Sequence, residues 1–258
     1  MCNFMGVKVS KIKFIHLLQI EKDLGTLAAM AELHEMQDGF TYGNSVVVRK
    51  FGEQDVEAVS MHWEFIPAWI KSLEEVKAAR KQGIPWLNAT SEKLLKSNMF
   101  RDAALNRRCL VLASHFYEWR RYKPLGAKKD IAYPYTIGVT GADYFYMAGI
   151  WQTFTDKSTG EMMDTFAIVT TAANELMQTV HNSKQRMPTI LTEALAYDWV
   201  MKDLPEDRIN AIAAFQFPSE KMYAHTIAKN FKIQESPTEK FEYAELPELS
   251  SFYDGNCS

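Results

Sequence analysis

Apolar residues along this chain follow two rhythms. SVVVRKF at 45–51 and the segment around 57–66 are rich in β-branched and aromatic residues and predict strands. RRCLVLASHFYEWRRY, 107–122, predicts a strand, a brief turn and a second strand. YPYTIGV (133–139), DYFYMAGIWQTF (143–154) and MDTFAIVTTAAN (163–174) predict three more. The helical rhythm, with apolar positions three and four apart, occupies other stretches. SLEEVKAARKQG at 72–83 has a serine N-cap, an acidic first turn and Gly83 beyond its end. Residues 21–38 mix charged and apolar residues at helical spacing, interrupted by Gly25, and SEKLLKS at 91–97 predicts a short helix. Further helices are predicted near 174–180, 192–202 and 205–215. From about Ser236 the chain turns acidic and proline-punctuated, which predicts a folded domain over 2–235 and a loose tail over 236–258.

No regular helical crossovers separate the strands, which disfavours a doubly wound parallel sheet. A single α+β domain fits, built on a curved, mostly antiparallel β-sheet or open barrel with flanking helices. The 258 residues suffice for one substantial core. A net charge of −3 offers no global field for nucleic acid, so local patches must carry any such argument. Cys2, Cys109 and Cys257 are odd in number and widely spaced, which argues for a reducing cytosol and against disulfides or a zinc site. No cofactor is implied. The first residues lack the apolar stretch of a signal peptide, and no run approaches the roughly 18 apolar residues of a membrane span, so the expectation is a cytoplasmic protein.

Four segments place polar residues where an apolar core pattern would not. Cys2 follows the initiating methionine, so loss of Met1 leaves an α-amine and a thiol on one residue, a pair able to condense with an aldehyde into a five-membered thiazolidine. Taken alone, Cys2 reads more readily as an incidental second residue. Glu118, among Phe116, Tyr117 and Trp119, is either a desolvated proton carrier or the outward member of a strand whose neighbours face the core; pattern leaves both open. Asn88 orients a substrate or caps the turn near Thr90, and spacing favours the cap. His181 is a proton-transfer candidate or an exposed loop histidine. Arg186 holds an anion or a surface ion pair.

The ordered segments resemble the SRAP family (SOS response-associated peptidase). They are Met1-Cys2, WEFIPAW at 63–69, NATSE at 88–92, FRDA at 100–103, RRCLVLASHFYEW at 107–119, MAGIW at 147–151, IVTTAAN at 168–174 and RMP at 186–188. The resemblance covers roughly residues 2–200. It implies a covalent sensor of abasic sites in single-stranded DNA, acting as a monomer. On that basis Cys2 is the crosslinking nucleophile, Asn88 positions the terminus, Glu118 is the acid/base and His181 assists proton transfer at the sugar. The Cys2 thiol could also cut off Met1, consistent with the family's name.

This chain departs from the family's usual wording at four places. Asn3 and Phe4 replace Gly-Arg, Thr90 replaces an arginine, Glu64 replaces a glycine, and four residues separate His181 from Arg186 instead of one. Fewer arginines predict weaker DNA affinity. Arg101, Arg107, Arg108, Arg120, Arg121, Lys123, Lys128 and Lys129 are interleaved with Tyr117, Trp119 and Tyr122, a pattern suited to single-strand binding or to an ordinary solvated hairpin. Arg107, Arg108, Arg120, Arg186 and Thr171 are the expected DNA contacts. Trp63, Phe65, Ile66, Pro67 and Trp69 form a candidate wedge beside the lesion, with buried core as the competing account. The rival functions are a cysteine-dependent peptidase acting on polypeptides and a non-catalytic single-strand-binding module.

Overall fold

Strands carry most of the architecture. The structure, a computed structural model, describes residues 2–8, 12, 14–23 and 34–249. The chain begins with β1 (Phe4–Gly6), β2 (Phe14–Leu17), β3 (Ile20–Asp23), β4 (Gln37–Asp38), β5 (Asn44–Phe51) and β6 (Asp55–Trp63). Helix α1 (Leu73–Lys81), β7 (Asn88–Thr90) and α2 (Arg101–Asn106) follow. Next come β8 (Arg108–Ala113), β9 (His115–Tyr122), β10 (Ile131–Val139), β11 (Phe145–Thr155) and β12 (Met162–Ala172). The chain ends with α3 (Glu175–Val180), β13 (Arg186–Pro188), β14 (Ile190–Leu191), α4 (Glu193–Met201), α5 (Glu206–Ala213) and β15 (Met222–Thr226).

The fold is α+β and mostly antiparallel. β6, β5, β8 and β11 pair antiparallel in turn; β12 then pairs antiparallel with β11 and parallel with β6, closing a five-stranded barrel. The ring expected to be open is closed. A second sheet, ordered β15-β10-β9-β1-β4, leans on it. The two are joined by one bent strand: only Ser114 separates β8 from β9, and its N–H donates to the Gly6 carbonyl at 2.9 Å. Gly6 is required there, because a Cβ would lie 2.0 Å from the Glu35 carbonyl oxygen and 2.3 Å from His115 Nε2.

All six residues of β8 are buried, as expected of a strand covered on both faces. Helix α1 starts where its capping signal lies: Ser72 Oγ accepts from Glu75 N–H at 3.3 Å.

Three expectations fail. The helix predicted over 21–38 gives strand at both ends, β3 and β4, with irregular chain at 34–36; residues 24–33 lie outside the described ones. SEKLLKS yields a single 3-10 turn at Ser91–Lys93. Residues 236–249, expected as a loose tail, pack on the second sheet: Lys240 bridges Ile227, Tyr133 Oη donates to Glu245 at 2.9 Å, and Leu249 is buried. Apolar Tyr243, Leu246 and Leu249 between the acidic residues supply the docking face. No helix among the described residues is long and apolar enough to cross a membrane.

Candidate active site

Glu118 sits mid-strand in β9, opposite Tyr135 of β10. Strand alternation puts its side chain on the face of Phe116, which packs with Cys2 and Met5 in the core. Tyr117 turns the other way and is equally buried, against Phe231 and Ile227. β9 is covered on both faces from His115 to Glu118, so the outward orientation considered for Glu118 is not realised; it is 5% exposed. Desolvation lifts its carboxyl to about 7, far above the ordinary carboxylate range.

His181 faces it from the C-terminal end of α3. Asn174 caps that helix, accepting from Met177 N–H at 3.0 Å, and His181 ends it, donating its backbone N–H to the Met177 carbonyl at 2.8 Å. The ring Nδ1 lies 2.8 Å from the Arg186 carbonyl, and Nε2 lies 3.6 Å from Glu118 Oε2. A carbonyl only accepts, so Nδ1 carries the proton and the neutral ring turns its Nε2 lone pair toward the carboxyl. Burial lowers the imidazole to about 4.

The loop after His181 is fixed to the strand that bears Glu118. Asn182 Oδ1 accepts from the Arg121 N–H at 3.0 Å, and its Nδ2 donates to the Arg121 carbonyl at 2.8 Å. Gln185 reverses the chain in the left-handed region, at φ 51°.

Cys2 is fully buried beside this pair. Burial, and then the Glu118 charge, push its thiol well above the ordinary range, so it rests protonated. Asn88 does not cap. The turn at Thr90 has no side-chain cap, and Asn88 Nδ2 instead donates to Asn3 Oδ1 at 2.8 Å, fixing the residue next to Cys2. Asn88 Oδ1 is buried with no partner among the described residues, an acceptor available to a terminal amine or a substrate hydroxyl.

A cavity of about 210 Å³ opens onto this centre, with walls from Asn3, Phe4, Glu118, Trp119, Ala132 and His181 and a rim of Arg121, Ser183 and Lys184. A larger cavity, about 510 Å³, lies under residues 240–249 and contains neither Glu118 nor His181. Among the described residues no cluster of three or more His, Cys, Asp or Glu is arranged to hold a metal.

Most expected DNA contacts are engaged elsewhere. Arg108 is buried and donates to the carbonyls of Trp199, Ala104, Leu105 and Lys202; it ties the α4 end to the barrel. Arg107 binds Asp102 and the Trp151 carbonyl, away from the Glu118 cavity. Arg120 donates to the Pro247 carbonyl at 2.6 Å, held by the C-terminal segment. Arg186 pairs with Glu92 at 2.5 Å and donates to the Thr170 carbonyl at 2.6 Å, touching the site only through its own carbonyl. Thr171 is buried and donates to the Ala214 carbonyl. In the supposed wedge, Trp63, Phe65, Ile66 and Pro67 are buried, with Trp63 Nε1 donating to the Leu87 carbonyl; Trp69 alone is exposed. Glu64 is a buried partner of Arg80, at 2.5 Å, and presents no free negative charge.

Sequence reasoning missed Asn3, Asn182 and Lys184 as site-forming residues. Asn3 was noticed only as a departure. The HNSKQR run displayed Asn182 and Lys184, but no periodicity tells which side of a loop faces a cavity.

A closed barrel and a buried acid–imidazole pair beside an N-terminal cysteine define the class. The family model described as SOS response associated peptidase (SRAP) matches residues 15–232, and the chain belongs to that family. Among curated relatives, the abasic site processing protein YoqW of Bacillus subtilis is 33% identical over 140 residues, 54% of this chain and 55% of the relative. Abasic site processing protein HMCES of Xenopus tropicalis is 27% identical over 144 residues, 51% of this chain and 41% of that protein. The chain thus spans about half the length of the curated relatives it matches. A crystal structure of a Bacteroides thetaiotaomicron protein is similar with a TM-score of 0.68 and 31% identity, covering 80% of this chain and 82% of that one.

Proposed function

We propose that this protein traps abasic sites in single-stranded DNA as a covalent thiazolidine on Cys2. The observation that carries the reading is a carboxyl lifted to about 7, 3.6 Å from a histidine and electrostatically coupled to the Cys2 thiol. A group with its pKa near the working pH gives and takes protons equally well. The names borne by the relatives, abasic site processing protein, support the substrate.

The residues divide the work as follows. Loss of Met1 exposes the Cys2 amine, and the orphan Asn88 Oδ1 is suited to accept a hydrogen bond from it. The opened deoxyribose offers an aldehyde at C1′, and His181 assists ring opening through Nε2. The amine adds to the aldehyde carbon to give a carbinolamine. Protonated Glu118 gives its proton to the departing hydroxyl, water leaves, and an iminium and a carboxylate remain. The thiol sulfur then bonds to the same carbon while its proton passes to Glu118, restoring the acid. Glu118 thus acts first as acid and then as base, and the reverse sequence releases the DNA.

The test is incubation of mature protein, with Met1 absent by mass spectrometry, with an abasic single-stranded oligonucleotide, followed by a denaturing gel. A heat-stable one-to-one adduct that Cys2→Ala abolishes is expected. An absent adduct sinks the reading. Retention of Met1 in Cys2→Ala, with its removal in the parent, would assign that hydrolysis to the thiol; its removal in both assigns it to an aminopeptidase.

A further inference from the structure

Two cations on the rim of the Glu118 cavity, Arg121 and Lys184, are exposed, and their side chains have no hydrogen bond or ion pair among the described residues. That sets them apart from their neighbours: Arg186 pairs with Glu92, Arg120 with the Pro247 carbonyl, and Lys232 with Asp38. Their placement is constrained by the fold. Arg121 rides on β9, three residues beyond Glu118. Lys184 rides on the loop after α3. Asn182 joins the two segments through both of its hydrogen bonds to the Arg121 backbone, at 3.0 and 2.8 Å, so the residues bearing the cations are held on one rim of the cavity. The backbone reversal at Gln185 and the Lys184 N–H bond to the His181 carbonyl, 3.3 Å, keep this loop curled against the pocket. The Lys184 charge favours the ionised Glu118 and disfavours the protonated His181, as a cation on the rim of their cavity does.

The wall beneath them is different in kind. Phe4, Trp119 and Ala132 offer aromatic and aliphatic surface and no charge. A deoxyribose lying on that wall would carry its phosphodiester toward the rim, where the two cations among the described residues lining this cavity stand. Anions of this type are held by charge-assisted bonds from arginine and by lysine as a point charge.

We propose that Arg121 and Lys184 form a phosphodiester subsite that grips a backbone phosphate adjoining the abasic sugar. The assignment rests on the reading given under Proposed function, that single-stranded DNA enters this cavity. It makes the loop between His181 and Arg186 a binding device as well as the support for the histidine.

The experiment uses an oligonucleotide with a single tetrahydrofuran residue, which has no aldehyde and cannot crosslink, alongside one with a true abasic site. Arg121→Gln and Lys184→Gln are each expected to weaken binding of the tetrahydrofuran strand about fivefold, the size of an exposed ion pair. Each should also lower the slope of log affinity against log salt by about 0.7, one phosphate contact on a single strand. Lys184→Arg should restore the slope. Both side chains are exposed, and unchanged thermal midpoints will show that the variants fold. Unaltered affinity and slope in both glutamine variants overturn the subsite, as does a parent protein that fails to bind the tetrahydrofuran strand. A parent that binds it with the expected losses in the variants, yet forms no adduct with the aldehyde strand, upholds the subsite and sinks the crosslinking chemistry alone.

Discussion

Glu118 Oε2 and His181 Nε2 stand 3.6 Å apart with their proton affinities in reversed order: the carboxyl is lifted to about 7 and the imidazole lowered to about 4. One cause acts on both. Burial penalises the charged form, which is the base of one group and the acid of the other. At pH 7 the carboxyl is therefore about half protonated and the ring is neutral. A proton is stored on the group that faces both the cysteine and the ring, and no metal or mobile base is needed to hold it there.

That order fixes the pH profile of adduct formation. Dehydration of the carbinolamine needs the protonated carboxyl, so the single-turnover rate should fall as pH rises through about 7. Glu118→Gln should lose this limb and react at least about a hundredfold more slowly, the usual worth of a positioned acid. Rates measured from pH 5 to 9 check it. A limb that survives in the glutamine variant assigns the proton to another group.

The same shifts enter folding stability with opposite signs. Glu118, raised from 4.5 to about 7, holds more protons folded than unfolded in that window, so its contribution is present at low pH and lost as pH rises through 7. His181, lowered from 6.5 to about 4, contributes stability at higher pH that is lost as pH falls through 4. Between these limits the two trends oppose each other. Glu118→Gln should therefore gain stability relative to the parent from pH 4.5 to 8, by up to on the order of 3 kcal/mol. Urea unfolding at both pH values measures the difference, and a constant offset contradicts it.

The strands from 45 to 172 were legible because apolar, β-branched runs of that density have few alternatives to a sheet. Glu118 was not resolved by pattern, since alternation assumes one wet face and the first four residues of β9 are buried on both. Of the residues gathered by resemblance, Glu118 and His181 line one cavity, while Cys2 is buried behind Glu118 and Asn88 reaches the cavity through Asn3; distance in sequence gave no sign of it. Arg108 and Trp63 misled for one reason. A guanidinium donating to four carbonyls, or an indole donating to one, reads along the chain like a surface cation or an exposed wedge. The tail misled through its charge, because three apolar residues were enough to dock it.

Asn3 and Asn88 should behave as one unit. Asn88→Ala removes the donor that fixes the residue beside the nucleophile, and adduct formation should slow about tenfold. Asn3→Ala should slow it as well, and the double variant should be little worse than Asn88→Ala, with a coupling of about 1 kcal/mol. A double-mutant cycle on the single-turnover rate decides. Fully additive losses would mean that the 2.8 Å contact does not position Cys2.

Arg108 should matter for stability and not for DNA. Arg108→Met leaves four carbonyl acceptors without their donor at a site where the arginine is 9% exposed. The cost expected is about 3–5 kcal/mol, the range for breaking buried charged contacts. At a temperature where the variant is folded, the salt slope for a tetrahydrofuran strand should match the parent's. A reduced slope would return Arg108 to the DNA-binding surface.

Glu64 gives the complementary case, a charge that looks exposed in sequence and is sealed in the fold. Its side chain has no solvent exposure and accepts from Arg80 Nη2 at 2.5 Å, while the Arg80 guanidinium lies 3.8 Å over the Tyr42 ring. The attraction offsets desolvation only while both partners are present. Arg80→Met strands the carboxylate and should cost about 3–5 kcal/mol, whereas replacing both, as Glu64→Leu with Arg80→Met, should recover most of the loss. Thermal unfolding of the three proteins is the measurement. A double variant less stable than Arg80→Met alone would show that this pair stabilises the end of β6 beyond merely cancelling its own burial.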